Sequence, residues 1–295
     1  MPYRTPPPSR PRIPGRRTAL TGGLAAAVAA LFAAGALDPA TASAASGPAG
    51  STTADFPSTV RAEGKARVTA AVLDLDGTGR QPALYGADAP YDTASIIKVD
   101  ILAARLLQAR DSGHGLTAQE RAQAEKMIEH SDNAAANDLW RHIGLAPGLQ
   151  KANKRLGLTS TTGGPGGKWG LTRTTASDQI RLLRTVFDTG AAKGTGSGTA
   201  LDDASRAYIR TLMGKVADEQ SWGVSAAAGS GWELKNGWLQ RNTTNLWDVN
   251  SVGRITTGGH HYLVAVLSDG NKSMKDGVAL VERAARTAVS TTRAR

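Results

Sequence analysis

Two blocks of strand-forming sequence bracket a long helical stretch, and this order constrains the fold more than any other feature of the chain. The run "ARVTAAVLDL" (66–75), the turn "DGTG" (76–79) and a second short run around "PALYG" (82–86) predict a β-hairpin. Helical spacing follows over 94–110, about 117–130, 133–143 ending at Gly144, 148–156 between Pro147 and Gly157, about 176–188, and 203–213 ending at Gly214. Thr117 and Glu120 are spaced as a capping box, each side chain serving an orphan backbone N–H. Strand patterns then return in "WELKNGWLQ", "WDVNSVGRITT" and "HHYLVAVLSDG", and a helix over about "MKDGVALVERAARTAV" closes the sequence. The order predicts an α+β fold: an antiparallel sheet carrying the terminal helix, with the central helices as a second lobe. No repeat period is visible, and "GAAKGTGSGTA" (190–200) reads as a low-complexity surface loop.

The N-terminus reads differently. "RPRIPGRR" is a basic segment, "TALTGGLAAAVAALFAAGAL" is uncharged and apolar, and Ala42-Ser43-Ala44 offers a small-residue cleavage site. Residues 1–44 are therefore expected to be an export signal, with Arg16-Arg17 hinting at the twin-arginine route without a full match to its motif. The alternative is an uncleaved membrane anchor, since the apolar run is nearly long enough to span. Its alanine and glycine content makes it weakly hydrophobic and favours cleavage, which leaves no stable membrane insertion. Residues 45–64 are rich in Ser, Thr, Gly and Pro and read as a flexible linker, so the folded domain is expected at 65–295. Within it, 65–93 and 216–295 would form the sheet lobe and 94–215 the helical lobe.

Five of the 35 basic residues (Arg4, Arg10, Arg12, Arg16, Arg17) and one of the 25 acidic ones (Asp38) lie in the signal segment, so the net charge of +10 falls to +6 without it. A basic exported protein suits an anionic cell wall. It does not suit nucleic acid, for which the chain has no motif or basic–aromatic array. The absence of cysteine excludes disulfides, thiolate metal sites and cysteine nucleophiles.

Three short motifs carry chemistry. Ser95 is the only serine followed at +3 by lysine, Lys98, at the start of a predicted helix. Such a pair arises about once by chance in a chain of this length, and an ordinary amphipathic helix would explain it. Ser131-Asp132-Asn133 opens another helix; these are preferred N-cap residues, yet the triplet arises by chance in only about one such chain in twenty. Lys235-Asn236-Gly237 lies on the first returning strand, although Lys-x-Gly also occurs at 168 and 275.

The order Ser-x-x-Lys, Ser-Asp-Asn, Lys-x-Gly, set in this alternation of strands and helices, resembles the class A β-lactamases and penicillin-binding proteins over about residues 65–290. The resemblance implies a β-lactamase/transpeptidase-like fold with the active site between the sheet and the helical lobe. It implies Ser95 as nucleophile, Lys98 as its base and Ser131 as the proton carrier to the leaving nitrogen. Asn133 would bind the substrate amide and orient Lys98. Lys235 would attract the substrate carboxylate, with Asn236 and Gly237 beside it. The amides of Ser95 and Trp238 would form the oxyanion hole. The chemistry fits the spacing. A serine hydroxyl needs a base within hydrogen-bond reach, and residues three apart on a helix share a face. The implied substrates are β-lactams, hydrolysed through an acyl-enzyme, or peptidoglycan stem peptides. No cofactor or metal is implied, and the expected state is a monomer that is secreted, either extracellular or cell-wall associated.

Three departures from the family pattern stand out. No Asp or Glu occurs between Asp138 and Asp178, so the loop "TSTTGGPGGKWGLTRTT" lacks the glutamate with which class A enzymes activate the deacylating water. Acylation carries over; class A deacylation does not. The alternative to lactamase turnover is a cell-wall D,D-peptidase or a slowly deacylating penicillin-binding module. Asn236 replaces the family's usual threonine, and bulky Trp238 follows the glycine. The segment between Ser95 and Ser131 is short, which predicts a more open cleft. Arg241 or Arg254 would supply a carboxylate-binding arginine, and no motif chooses between them.

Other motifs carry less. There is no Gly-x-Ser-x-Gly elbow. His260 and His261 are adjacent on a strand and would point to opposite faces, and "DLDGTG" lacks the oxygen ladder of a calcium loop. Trp222, Trp232 and Trp247 read as packing residues rather than a sugar groove.

Overall fold

The computed structural model of the chain describes residues 53–56, 60–188 and 200–294. The expected signal segment 1–44, most of the linker (45–52 and 57–59) and nearly all of the 190–200 loop lie outside the described residues. All the described residues belong to one unit, Pro48–Arg295.

The hairpin forms as β2 (Arg67–Asp74) and β3 (Ala83–Tyr85), paired antiparallel. The three returning strands are β6 (Gly231–Gln240), β7 (Trp247–Thr257) and β8 (His260–Asn271). Strand β2 pairs antiparallel with β8 along the whole of β2, Arg67 opposite Asp269 and Asp74 opposite Tyr262. A two-residue strand β1 (Thr53–Ala54) adds parallel to β3. The sheet order is β1-β3-β2-β8-β7-β6, with β6 at one edge. The linker expectation is thus corrected at its centre: Thr53–Ala54 pairs with the sheet, Phe56 lies 5.7 Å from the Tyr85 ring and Val60 is buried.

The sheet is buried on both faces because its strands are apolar at odd and even positions alike. On β8, Leu263, Ala265 and Leu267 face the helical lobe, whereas Tyr262, Val264 and Val266 join the core under the final helix. Ala71 and Leu73 of β2 divide from Ala70 and Val72 in the same way. Each fully buried valine or leucine contributes roughly 1.5–3 kcal/mol, so both layers are strongly held.

Seven helices are described. They are α1 (Ile97–Asp111), α2 (Ala118–Glu129), α3 (Asn133–His142), α4 (Leu145–Leu156), α5 (Ala176–Phe187), α6 (Asp203–Met213) and α7 (Met274–Arg293). The Thr117–Glu120 capping box is present. Helix α4 begins three residues earlier than its periodicity predicts. Pro147 occupies its first turn, where no intrahelical N–H is needed, and Gly144 supplies the left-handed entry at φ 89°. Helix α7 packs on one face of the sheet and α5 on the other. Among the described residues, no helix is long and apolar enough to cross a membrane. A small second sheet pairs β4 (Tyr91–Asp92) with β5 (Arg173–Thr174), tying the acid-free loop to the segment just before Ser95.

Candidate active site

The sheet fixes Ser95 through two residues that face each other across β6 and β7. Gly237 and Asn250 are partners in that register. The Asn250 side chain donates from Nδ2 to the carbonyls of Asp92 (2.9 Å) and Thr93 (3.1 Å), while its Oδ1 accepts from the Ser268 amide. Gly237 sits so close that a Cβ there would lie 2.6 Å from the Ser95 nitrogen and 2.8 Å from the Ile96 nitrogen. Only glycine permits this approach. Between these anchors Ala94 adopts φ 46°, a left-handed conformation unfavourable for alanine. Residues Ala94–Ile96 form a 3-10 turn that runs into α1, and Ser95 is half-buried at its middle.

Lys98 follows one turn later, with no exposed surface. Its Nζ donates to the Ser131 carbonyl at 2.6 Å and to Asn133 Oδ1 at 2.8 Å, and lies 3.1 Å from Ser131 Oγ. Burial lowers its pKa to about 7, partly opposed by the negative charge of Asp132. A neutral amine has two N–H bonds and one lone pair. The carbonyl and amide oxygens can only accept, so they take the two N–H groups and leave the lone pair to a hydroxyl proton.

The middle residue of Ser131-Asp132-Asn133 has a structural task. Asp132 is the N-cap of α3 and accepts from the Ala135 amide at 2.7 Å. Ser131, held at φ 56°, and Asn133 turn toward Lys98 instead. Asp132 thus starts the helix, while Ser131 and Asn133 both accept from Lys98 Nζ.

The structure brings Lys235 to the same group and turns Asn236 away. Lys235 is fully buried, and burial together with the charge of Lys98 holds its pKa well below the ordinary lysine value. Asn236 points to the opposite side of β6, where Nδ2 donates to the carbonyls of Gln220 (2.7 Å) and Trp222 (2.8 Å). Its side chain braces the 218–227 segment and does not line the cleft. Trp238 is half-buried, tilts against Trp222 at 5.8 Å and forms part of the cleft wall.

The cleft encloses about 630 Å³, with Ser95, Asn133, Asn137, Trp169, Trp238 and Arg241 among its lining. Of the two candidate arginines, Arg241 reaches the rim but pairs with Asp92. Arg254 pairs with Glu233 and lies beside the Phe187 ring in a separate cavity. Trp222, Trp232 and Trp247 pack against the core under α7.

Sequence reasoning missed Asn250 and Trp169. Asn250 carries no distinguishing signal, being one of several polar residues on β7; for Trp169 the signal is the only aromatic residue in a glycine-rich loop. The β2–β8 pairing also gathers Asp74, Asp76 and His260, whose ligand atoms lie within 4.8 Å of one another. His260 bonds to Asp74 at 2.8 Å and His261 to Asp76 at 2.9 Å, so both histidines reach the "DLDGTG" turn.

The family described as the beta-lactamase enzyme family matches residues 108–292, a span that holds Ser131 and Lys235 and starts after Ser95. Among solved structures, PBP-A is similar at 19% identity and a TM-score of 0.64, over 80% of this chain and 93% of PBP-A. A class A β-lactamase from Bacteroides cellulosilyticus is similar at 15% identity and 0.64, over 79% and 94%. TLA-1 extended-spectrum β-lactamase is similar at 14% identity and 0.65, over 79% and 95%. The likenesses show a shared fold, the β-lactamase/transpeptidase-like one. No curated protein matches the sequence.

Proposed function

Since the chain belongs to the β-lactamase enzyme family and is a serine β-lactamase-like hydrolase, we propose that Ser95 is its nucleophile and is acylated by β-lactams or related amides. The observation that carries this reading is the buried Lys98 amine, bonded to Ser131 and Asn133 one turn from Ser95. Neutral Lys98 takes the Ser95 proton as Oγ bonds to the amide carbonyl carbon. The Ser95 and Trp238 amides stabilise the oxyanion. Ser131 Oγ, 3.1 Å from Lys98 Nζ, passes a proton to the leaving nitrogen as the C–N bond breaks. Asn133 lines the cleft where a substrate amide would lie. Lys235, behind this group, supplies positive potential for a substrate carboxylate when protonated. A penicillin G acyl-enzyme of a single-residue mutant of the similar protein PBP-A supports the choice of ligand.

The test is intact-mass spectrometry over time after addition of penicillin G. The expected result is a covalent adduct in the wild type and none in Ser95→Ala; equal labelling of the two would remove the nucleophile assignment. A second reading, a cell-wall D,D-peptidase or slowly deacylating penicillin-binding protein acting on stem peptides, is favoured by the acid-free loop beside Ser95. Rapid turnover of a chromogenic cephalosporin, lost in Ser95→Ala, would decide against it. The same proposal includes export by the 1–44 segment and residence outside the cell as a monomer. N-terminal sequencing of secreted protein should then begin at Ala45.

A further inference from the structure

Where the loop lacks a carboxylate, it places an indole. Trp169 lies on the turn Trp169–Leu171, its ring centroid 4.8 Å from Lys98 Nζ. Its Nε1 donates to Asn137 Oδ1 at 2.8 Å, and its ring packs against the helical core. The next residue rests on the nucleophile's neighbour: a Cβ at Gly170 would lie 3.7 Å from Ala94 Cα. Trp169, Asn137 and Ser95 line one cleft. The first acid after the loop, Asp178, is fully buried and accepts from the Ser160 amide and the Thr161 hydroxyl, both at 2.7 Å, so it is not available to the cleft.

Hydrolysis of an ester on Ser95 needs a water oxygen to bond to the acyl carbon while the C–Oγ bond breaks. One water proton must pass to a base, Oγ must regain a proton, and a carboxylic acid leaves. Lys98, at the start of α1 three residues after Ser95, is the base at hand, and the indole lies over its amine. A rigid ring with two torsions, packed on one side and hydrogen-bonded at its far edge, excludes water at little entropic cost. We propose that Trp169 shields the Ser95 ester and the Lys98 amine from water and so sets the lifetime of the acyl-enzyme. This rests on the acyl-serine reading above. The covering ring also contributes to the burial that lowers the Lys98 pKa, so its removal should raise that pKa.

The test follows the penicillin G adduct by intact mass in the wild type, Trp169→Ala, Trp169→Phe and Asn137→Ala. Adduct decay should accelerate at least about tenfold in Trp169→Ala and stay within about threefold of wild type in Trp169→Phe. Asn137→Ala, which frees the indole edge, should shorten the lifetime by an intermediate factor and serves if Trp169→Ala does not fold. The acid limb of the acylation rate should move to higher pH in Trp169→Ala alone, a change that loosened packing elsewhere would not produce. A wild-type adduct whose decay is unchanged in Trp169→Ala and Asn137→Ala overturns the shield and leaves the nucleophile assignment standing. No adduct in the wild type overturns both.

Discussion

Asp100 offers a quantitative test of the electrostatics beneath the site. It lies two residues after Lys98 on α1 and is fully buried. Burial raises its pKa from 3.8 to about 7, the Asp178 charge adds to this, and the Gln179 side chain opposes it. A carboxyl with a raised native pKa keeps its proton longer in the folded state than in the unfolded one. Stability is therefore greatest below pH 4, is lost as the pH rises from about 4 to 7, and is flat above that. Three pKa units correspond to about 4 kcal/mol across the full window, of which about 3 kcal/mol falls between pH 5 and 8. Asp100→Asn cannot ionise and removes this slope while keeping the shape. Urea unfolding of both proteins at pH 5 and pH 8 isolates the effect, because every other titrating group cancels in the double difference. The advantage of Asp100→Asn over wild type should be about 3 kcal/mol larger at pH 8 than at pH 5. A double difference within about 0.5 kcal/mol of zero would show that Asp100 is charged in the native protein and refute the reasoning.

Three further outcomes follow from the site. Acylation by penicillin G should lose rate below about pH 7, as Lys98 with its lowered pKa gains a proton, and stopped-flow acylation between pH 5 and 9 should show one acid limb there. Gly237→Ala forces a Cβ to 2.6 Å from the Ser95 nitrogen, so acylation should fall by about a hundredfold or more. An unchanged rate would detach the strand from the oxyanion site. Asn236→Ala should cost about 1–3 kcal/mol in unfolding free energy, through the unpaired carbonyls of Gln220 and Trp222. Its concentration dependence of acylation should stay near wild type, and a selective rise in that constant would place Asn236 against the substrate after all.

The order of elements was legible because it depends on local pattern. The three long strands and six of the seven helices form where alternation, turns and caps place them. What was missed depends on contacts far apart in sequence. Strands β1, β4 and β5 have two residues each, too few for any periodicity; β1 forms on the edge of β3, and β4 and β5 form by pairing with each other. Residues 45–64 read as a linker from composition alone, yet composition does not register that Phe56 and Val60 meet the core.

The site divides in the same way, and one part was readable further than it was read. Lys235 and Gly237 are two apart on a strand and share its cleft side, since one meets the field of Lys98 and the other meets Ser95. Alternation then puts the Asn236 side chain on the opposite side, where it is found. The exchange of the family's threonine for asparagine thus bears first on how the 218–227 segment is held. Asn250 could not be assigned from pattern, because its task is set by the register that makes it the partner of Gly237. Trp169 was out of reach for a different reason. A glycine-rich loop has no period, and its path is fixed by close approaches that only glycine allows, such as Gly164, where a Cβ would meet the Lys168 carbonyl at 2.2 Å. The missing acid was visible in the sequence; what stands in its place was a matter of three-dimensional packing.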